Sequence, residues 1–175
     1  MSYARFGAMI ATSTVVMFGL MYLNTYAVEH VRFSETRLYM ALLMGAVMAV
    51  IMLGFMWKMY EGRRPKIAIM AVSVVVFAGS LWQVRSQETV GDLAYMKAMI
   101  PHHSIALLTS RRAHIRDPRV RDLADRIIAA QEREIAEMDG LIAELERRPT
   151  PDGSPDLPPA PRSAGSVIAS SGFPA

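Results

Sequence analysis

The chain has 175 residues, of which 52% are hydrophobic, and its formal net charge is only +3. Because its arginines are interleaved with acids, this charge predicts no nucleic-acid-binding patch. The absence of cysteine excludes disulfide frameworks, zinc–thiolate sites and cysteine nucleophiles. The 14 methionines and the histidines are then the soft or borderline metal ligands that the chain offers.

The first half of the chain contains three apolar runs, at residues 6–28, 38–57 and 67–84. Each is close to the ~20 residues that cross a bilayer as a helix. We therefore predict a three-helix transmembrane region over residues 1–85, with the lipid bilayer as its partner. A cleaved signal peptide is the competing interpretation of the first run, but Arg5 alone supplies a basic start and no small-residue cleavage site follows.

The orientation follows from the basic residues between the second and third runs. They are opposed only by Glu61 and comprise Lys58, Arg63, Arg64 and Lys66. Basic loops stay in the cytoplasm, so the N-terminus is also predicted to be cytoplasmic. Residues 85–175 would then face the periplasm or the exterior, with the chain in a bacterial inner membrane.

The second apolar run carries a methionine at every fourth position, beside a parallel row of small residues. The methionines are Met40, Met44, Met48, Met52 and Met56, and the small residues are Ala41, Gly45 and Ala49. Helix packing explains such rows, since small residues let backbones approach and methionine fills gaps. A thioether ladder that conducts Cu(I) is the alternative, although the runs contain no charged residue of the kind that marks a transport pathway.

Residues 86–148 predict two amphipathic helices joined at Asp117-Pro118, a pair typical of a helix start. The short link permits only an antiparallel hairpin. The predicted seam of the second helix is apolar except at two positions, and it runs through Val120, Leu123, Ile127, Gln131, Glu134, Met138, Leu141 and Leu145. Residues 149–175 are rich in Pro, Ser, Gly and Ala and are predicted to be disordered.

Folding this hairpin about Asp117 predicts which side chains face each other. His103 then lies opposite Gln131, Met99 opposite Glu134, and Met96 opposite Met138. Met99 precedes His102 by three residues and His103 by four, so it can approach either ring. A metal bound at Met99 and His103 is one interpretation, with His102 left for a second or shared ion; ordinary core packing is the other. Thioether with imidazole favours copper, above all Cu(I).

The hairpin also resembles a known family over residues 88–146. The matching residues are Met99-Ile100-Pro101-His102-His103, Asp117-Pro118, Leu123-Ala124, Ile128, Gln131, Glu134-Ile135 and Met138. They resemble the bacterial domain of unknown function 305 family. The resemblance implies a ferritin-like, secreted or periplasmic helical bundle that binds copper in copper resistance. It also implies metal ligands at Met96, Met99, His102, His103 and Met138, whereas Thr109 stands where many members have a further methionine.

We therefore predict an all-α protein with a transmembrane region at 1–85, a metal-binding hairpin at 86–148 and a disordered tail at 149–175. The hairpin would be half of a four-helix bundle and would form a homodimer, since one hairpin is a poor core. Gln131 and Glu134 are predicted as outer-shell partners of the metal. The predicted function is copper sequestration, resistance or delivery to a copper-handling partner protein, without catalysis. A membrane scaffold whose hairpin binds partner helices without metal is the alternative.

Overall fold

The computed structural model describes residues 2–151 and 153–159, and within them it contains helices and no strand. The five α-helices are α1 (Tyr3–Leu20), α2 (Glu35–Phe55), α3 (Arg63–Ser86), α4 (Asp92–Arg112) and α5 (Pro118–Arg147). Two short 3-10 turns lie at Val28–His30 and Trp57–Met59. The all-α prediction is therefore confirmed for the described part of the chain.

Polar side chains fix where three of the helices begin. Ser2 accepts a hydrogen bond from the backbone of Ala4, and Ser34 accepts one from Arg37. Asp117 accepts from the backbone N–H of Arg119, with proline in the first turn of α5. These are the acceptors that the unpaired N–H groups of a helix start require, so the predicted start at Asp117-Pro118 is confirmed.

Three helices, α1, α2 and α3, are long and apolar enough to cross a membrane. The predicted end of the first run was wrong, because α1 stops at Leu20 and residues 21–28 do not continue the α-helix. The hydroxyl of Thr25 donates to the backbone carbonyl of Tyr22 at 2.9 Å. Such a local bond offers the backbone an alternative to the helix and favours a turn.

Both α1 and α3 pack on α2, which buries its small residues Ala41, Gly45 and Ala49. This burial is what we expect if the row of small residues serves helix packing. The approach to α1 is close, since a Cβ atom on Gly45 would lie 2.3 Å from the Oγ1 of Thr14. A side chain at position 45 would therefore push the two helices apart.

The remaining two helices, α4 and α5, share a core of their own. Met96, Ile100 and Leu107 of α4 are buried with Ile135 and Ile142 of α5. The ion pairs run in opposite order along the helices: Lys97 lies 2.9 Å from Glu146 near one end, and Arg111 pairs with Glu132 near the other.

The face that α5 turns to this core differs from the predicted seam. Val120, Leu123 and Leu141 remain 49%, 50% and 44% exposed. Met138 and Leu145 of the predicted seam do pack there, but the other residues of α5 on this face, Ala124, Ile128, Ile135 and Ile142, each lie one position further along than a predicted one. The prediction failed because α5 has two adjacent apolar stripes, and periodicity alone does not select which one faces α4.

The connection between α1 and α2 is packed onto α4. The buried hydroxyl of Ser104 accepts a hydrogen bond from the backbone N–H of Tyr26 at 2.7 Å and lies 2.9 Å from the Nδ1 of His30. Arg32 also forms an ion pair of 3.2 Å with Asp139 of α5. The α4–α5 pair is thus held against the end of the apolar helices.

Residues 149–151 and 153–159 have no helix or strand. The rest of the predicted disordered tail, at 160–175, lies outside the described residues.

Replacing Gly45 by alanine should destabilise the protein by about 1–3 kcal/mol relative to Gly54→Ala, because the new methyl group meets Thr14. At Gly54 an added Cβ meets nothing within 4 Å, which makes it the matched control. The second substitution Thr14→Ala should restore stability by removing the clashing hydroxyl. Thermal unfolding in detergent measures all three; equal stability of Gly45→Ala and Gly54→Ala would refute the close approach.

Candidate functional site

A cleft of about 490 Å³ lies between α4 and α5. Five of the predicted site residues line it, namely Met96, Met99, His103, Glu134 and Met138. Met96, Met99 and His103 share one face of α4 because they are spaced by three and four residues. These five residues bring three thioethers, one imidazole and one carboxylate to the cleft, and Asp92 and Glu137 add two further carboxylates.

His103 is the polar centre of this cleft. Its side chain is only 14% exposed, against 49% for Glu134, and its Nδ1 lies 3.0 Å from the Oε2 of that carboxylate. The two atoms are close enough for an ion pair, but Nδ1 is shielded from solvent and has no hydrogen bond of acceptable geometry. With Glu134 beside Nδ1, a bound metal ion would take the other ring nitrogen, Nε2, since a ligating histidine commonly turns its second ring nitrogen to a carboxylate.

Burial lowers the pKa of His103 below its ordinary value of 6.5, since desolvation disfavours the imidazolium form. The Glu134 carboxylate raises this pKa and the adjacent His102 lowers it, both by less than burial does. At pH 7 the ring is therefore mostly neutral. A neutral imidazole has the free lone pair that metal binding needs.

The pairing of the two helices differs by one turn from the predicted register, a slip that helical spacing alone leaves open, since His103 faces Glu134 and not Gln131. The reason lies in the link at 113–117, where Ala113 and Asp117 have extended backbone conformations. Extended residues advance ~3.3 Å each against ~1.5 Å in a helix, which carries the start of α5 further past the end of α4. Gln131 instead lies beside Glu134, with its Nε2 at 3.5 Å from Oε2.

His102 does not share the cleft. Its side chain is exposed, and its ring centroid lies 6.1 Å from that of His103 with the planes at 61°. It lines a separate cavity of about 390 Å³ between α4 and the start of α2, together with Met21 and Met99. Met99 therefore borders both cavities, whereas the two histidines face different ones.

Thr109 also stands apart from the cleft. It is exposed, and its hydroxyl donates to the carbonyls of Ile105 and Ala106 on its own helix, at 3.1 Å each. The position at which the resemblance expects a methionine therefore contributes no ligand.

Sequence reasoning missed Asp92, Tyr95 and Glu137, which also line the cleft, whereas Leu141 and Leu145 line it as members of the predicted seam. Helical spacing could have found Asp92 and Tyr95, which precede Met96 and Met99 by four residues on the same face. Among residues 2–151 and 153–159, no group of three or more His, Asp or Glu side chains could hold a metal ion. Any soft-metal site here would depend on the methionines.

Two substitutions should shift the pKa of His103 in opposite directions in the metal-free protein. Glu134→Gln should lower it, because the carboxylate that favours the imidazolium is gone. His102→Gln should raise it, because the adjacent ring that lowers the pKa of His103 is gone. Side-chain NMR titration of labelled histidine measures both, and parallel shifts would contradict the assigned contacts.

Stability should depend on pH through the same group. The pKa of His103 is lower in the folded than in the unfolded chain, so below pH 6.5 the unfolded state binds more protons. The free energy of unfolding should therefore fall as the pH drops from 6.5 toward the folded pKa. His103→Gln should weaken that dependence, which thermal melts across this range would show; an unchanged slope would argue against it.

Comparison with known proteins gives two similarities. Residues 92–170 match a family model described as "Domain of unknown function (DUF305)". The "Uncharacterized protein L153" of Acanthamoeba polyphaga mimivirus is 29% identical over 144 residues, covering 78% of this chain and 93% of that protein. No solved structure matches the chain.

The alignment with the viral protein covers more of this chain than residues 92–175 alone could supply. The similarity therefore extends into the apolar helices. A viral relative gives no support to the predicted bacterial origin, which stays a prediction. The match over residues 92–170 does support the resemblance found from the sequence, to a family whose description names no function.

Proposed function

We propose that this protein is a membrane-anchored Cu(I)-binding protein that sequesters the ion or delivers it to a copper-handling partner. One observation carries the proposal: the α4–α5 cleft joins the thioethers of Met96, Met99 and Met138 to the shielded ring of His103. Thioether and imidazole are soft and borderline ligands, and together they favour copper over hard cations.

The residues of the cleft have separate roles in this proposal. The ion is bound by Met96, Met99, His103 and Met138. It would act only as a soft Lewis acid that accepts lone pairs from their sulfur and nitrogen atoms. Glu134 acts on His103, because its carboxylate beside Nδ1 restrains the ring. Gln131 lies beside Glu134 and acts through it. His102 is an auxiliary ligand from the neighbouring cavity, for a second ion or one shared with another chain.

The orientation is also part of the proposal, with α4 and α5 outside the membrane. The contacts of Tyr26 and His30 with Ser104 hold the α1–α2 connection on the α4 side. Tyr3 instead donates to the carbonyl of Glu61 at 2.8 Å, which joins the N-terminus to the basic loop. By the positive-inside rule that loop is cytoplasmic, so the cleft faces the periplasm or exterior if the host is bacterial.

A second copy of the chain would complete the bundle. The stripe of Val120, Leu123 and Leu141 on α5 is exposed to solvent. The other apolar stripe of α5 is buried against α4. Pairing of two such surfaces would produce the four-helix arrangement expected for half a bundle. The same stripe supports the alternative function, in which it binds helices of a different protein and no metal is involved.

Copper titration of the full-length protein in detergent tests the first function. Anaerobic Cu(I) competition with a chromophoric ligand should show tight binding, weakened at least about tenfold by His103→Ala or Met138→Leu. His114→Ala is the matched control, because His114 is an exposed residue outside the cleft and its loss should leave affinity unchanged. Equal affinity of all variants would eliminate the cleft as the site, and failure to compete at all would favour the scaffold.

Self-association is tested separately by Leu123→Glu. A charge at the centre of the exposed stripe should convert a dimer into a monomer without changing Cu(I) affinity, since Leu123 does not line the cleft. Light scattering in detergent with Arg126→Glu as an exposed control measures the effect. A dimer that survives Leu123→Glu would place the interface elsewhere.

A further inference from the structure

A third cavity lies between the apolar helices, and the proposed copper function does not use it. It measures about 570 Å³, within the ~300–1,000 Å³ common for ligand sites. Its walls come from α1 and α3 and its floor from α2, including Gly7, Ala11, Ala46, Ala49, Ala68 and Val72. Because small residues form much of the surface, a groove remains that no side chain of the described residues fills.

Three arginines are close in sequence to residues that line one end of this groove. Tyr3 and Pro65 line that end, so Arg5 and Arg64 lie beside it in the sequence, with Arg63 at the start of α3. All three arginines are exposed, and no ion pair within the described residues involves them. Lys66, by contrast, already has a partner. Its ammonium group donates to the backbone carbonyl of Trp57 at 2.6 Å and lies 4.7 Å from the centre of the Trp57 ring.

We propose that the groove binds one acyl chain of an anionic phospholipid whose phosphate headgroup pairs with Arg5, Arg63 and Arg64. A hydrocarbon chain suits apolar walls within the span of the bilayer, and the negative headgroup complements the unpaired arginines. Basic residues at a membrane surface attract anionic lipid. A zwitterionic lipid fills the same groove but lacks that net attraction.

The experiment offers the full-length protein an equal mixture of phosphatidylglycerol and phosphatidylcholine with identical chains. Native mass spectrometry then measures which lipid the protein retains. The unsubstituted protein should retain the anionic lipid preferentially. The double variant Arg63→Gln/Arg64→Gln should reduce this preference about thirtyfold, and both positions are exposed, so the fold is not at risk.

Groove filling is tested independently of charge. A Cβ added to Gly7 meets nothing within 4 Å, so the side chain in Gly7→Leu can extend into the groove and should displace both lipids. Gly79→Leu is the matched control, because Gly79 also has open space around it but does not line the groove. Its lipid retention should equal that of the unsubstituted protein.

Three results would overturn the proposal. The first is an unchanged lipid preference in the arginine double variant. The second is equal lipid retention by Gly7→Leu and Gly79→Leu. The third is conversion of a dimer to a monomer by Gly7→Leu without loss of bound lipid, which would identify a helix of a second copy as the occupant.

Discussion

The register between α4 and α5 is the constraint on which the cleft depends. In this register Ile100 and Leu107 of α4 pack on Ile135 and Ile142 of α5. A shift by one turn would remove His103 from Glu134, while the apolar contacts could re-form with other side chains. The polar pair therefore belongs to one register alone, whereas the apolar core tolerates neighbouring ones.

Much of this arrangement follows from the sequence, but not all of it. Spacing on one helix predicts that Met96, Met99 and His103 share a face, because that face depends only on helical geometry. The partners across the helix pair depend on the link at 113–117, whose extended conformation no periodicity encodes. For the same reason Asp117-Pro118 marks where α5 begins, but not which of its two apolar stripes meets α4.

Tertiary contacts also decide the separation of His102 from His103. Adjacent residues on a helix point about 100° apart, so only one of the two rings can enter the cleft. The packing of the α1–α2 connection on Ser104 occupies the side next to His103, and His102 is left facing the cavity between α4 and the start of α2. The sequence shows a pair of histidines; the position of the connecting loop gives each one a different environment.

The position of Ser104 links the membrane region to the cleft in a further way. It follows His103 directly and is fully buried, with its hydroxyl held by Tyr26 and His30. A rotation of α4 that moved His103 would therefore have to break hydrogen bonds in a buried site, where an unpaired polar group costs ~1–3 kcal/mol. The loop between the first two apolar helices thus restrains the orientation of the ring, although it lies outside the segment that matches the family model.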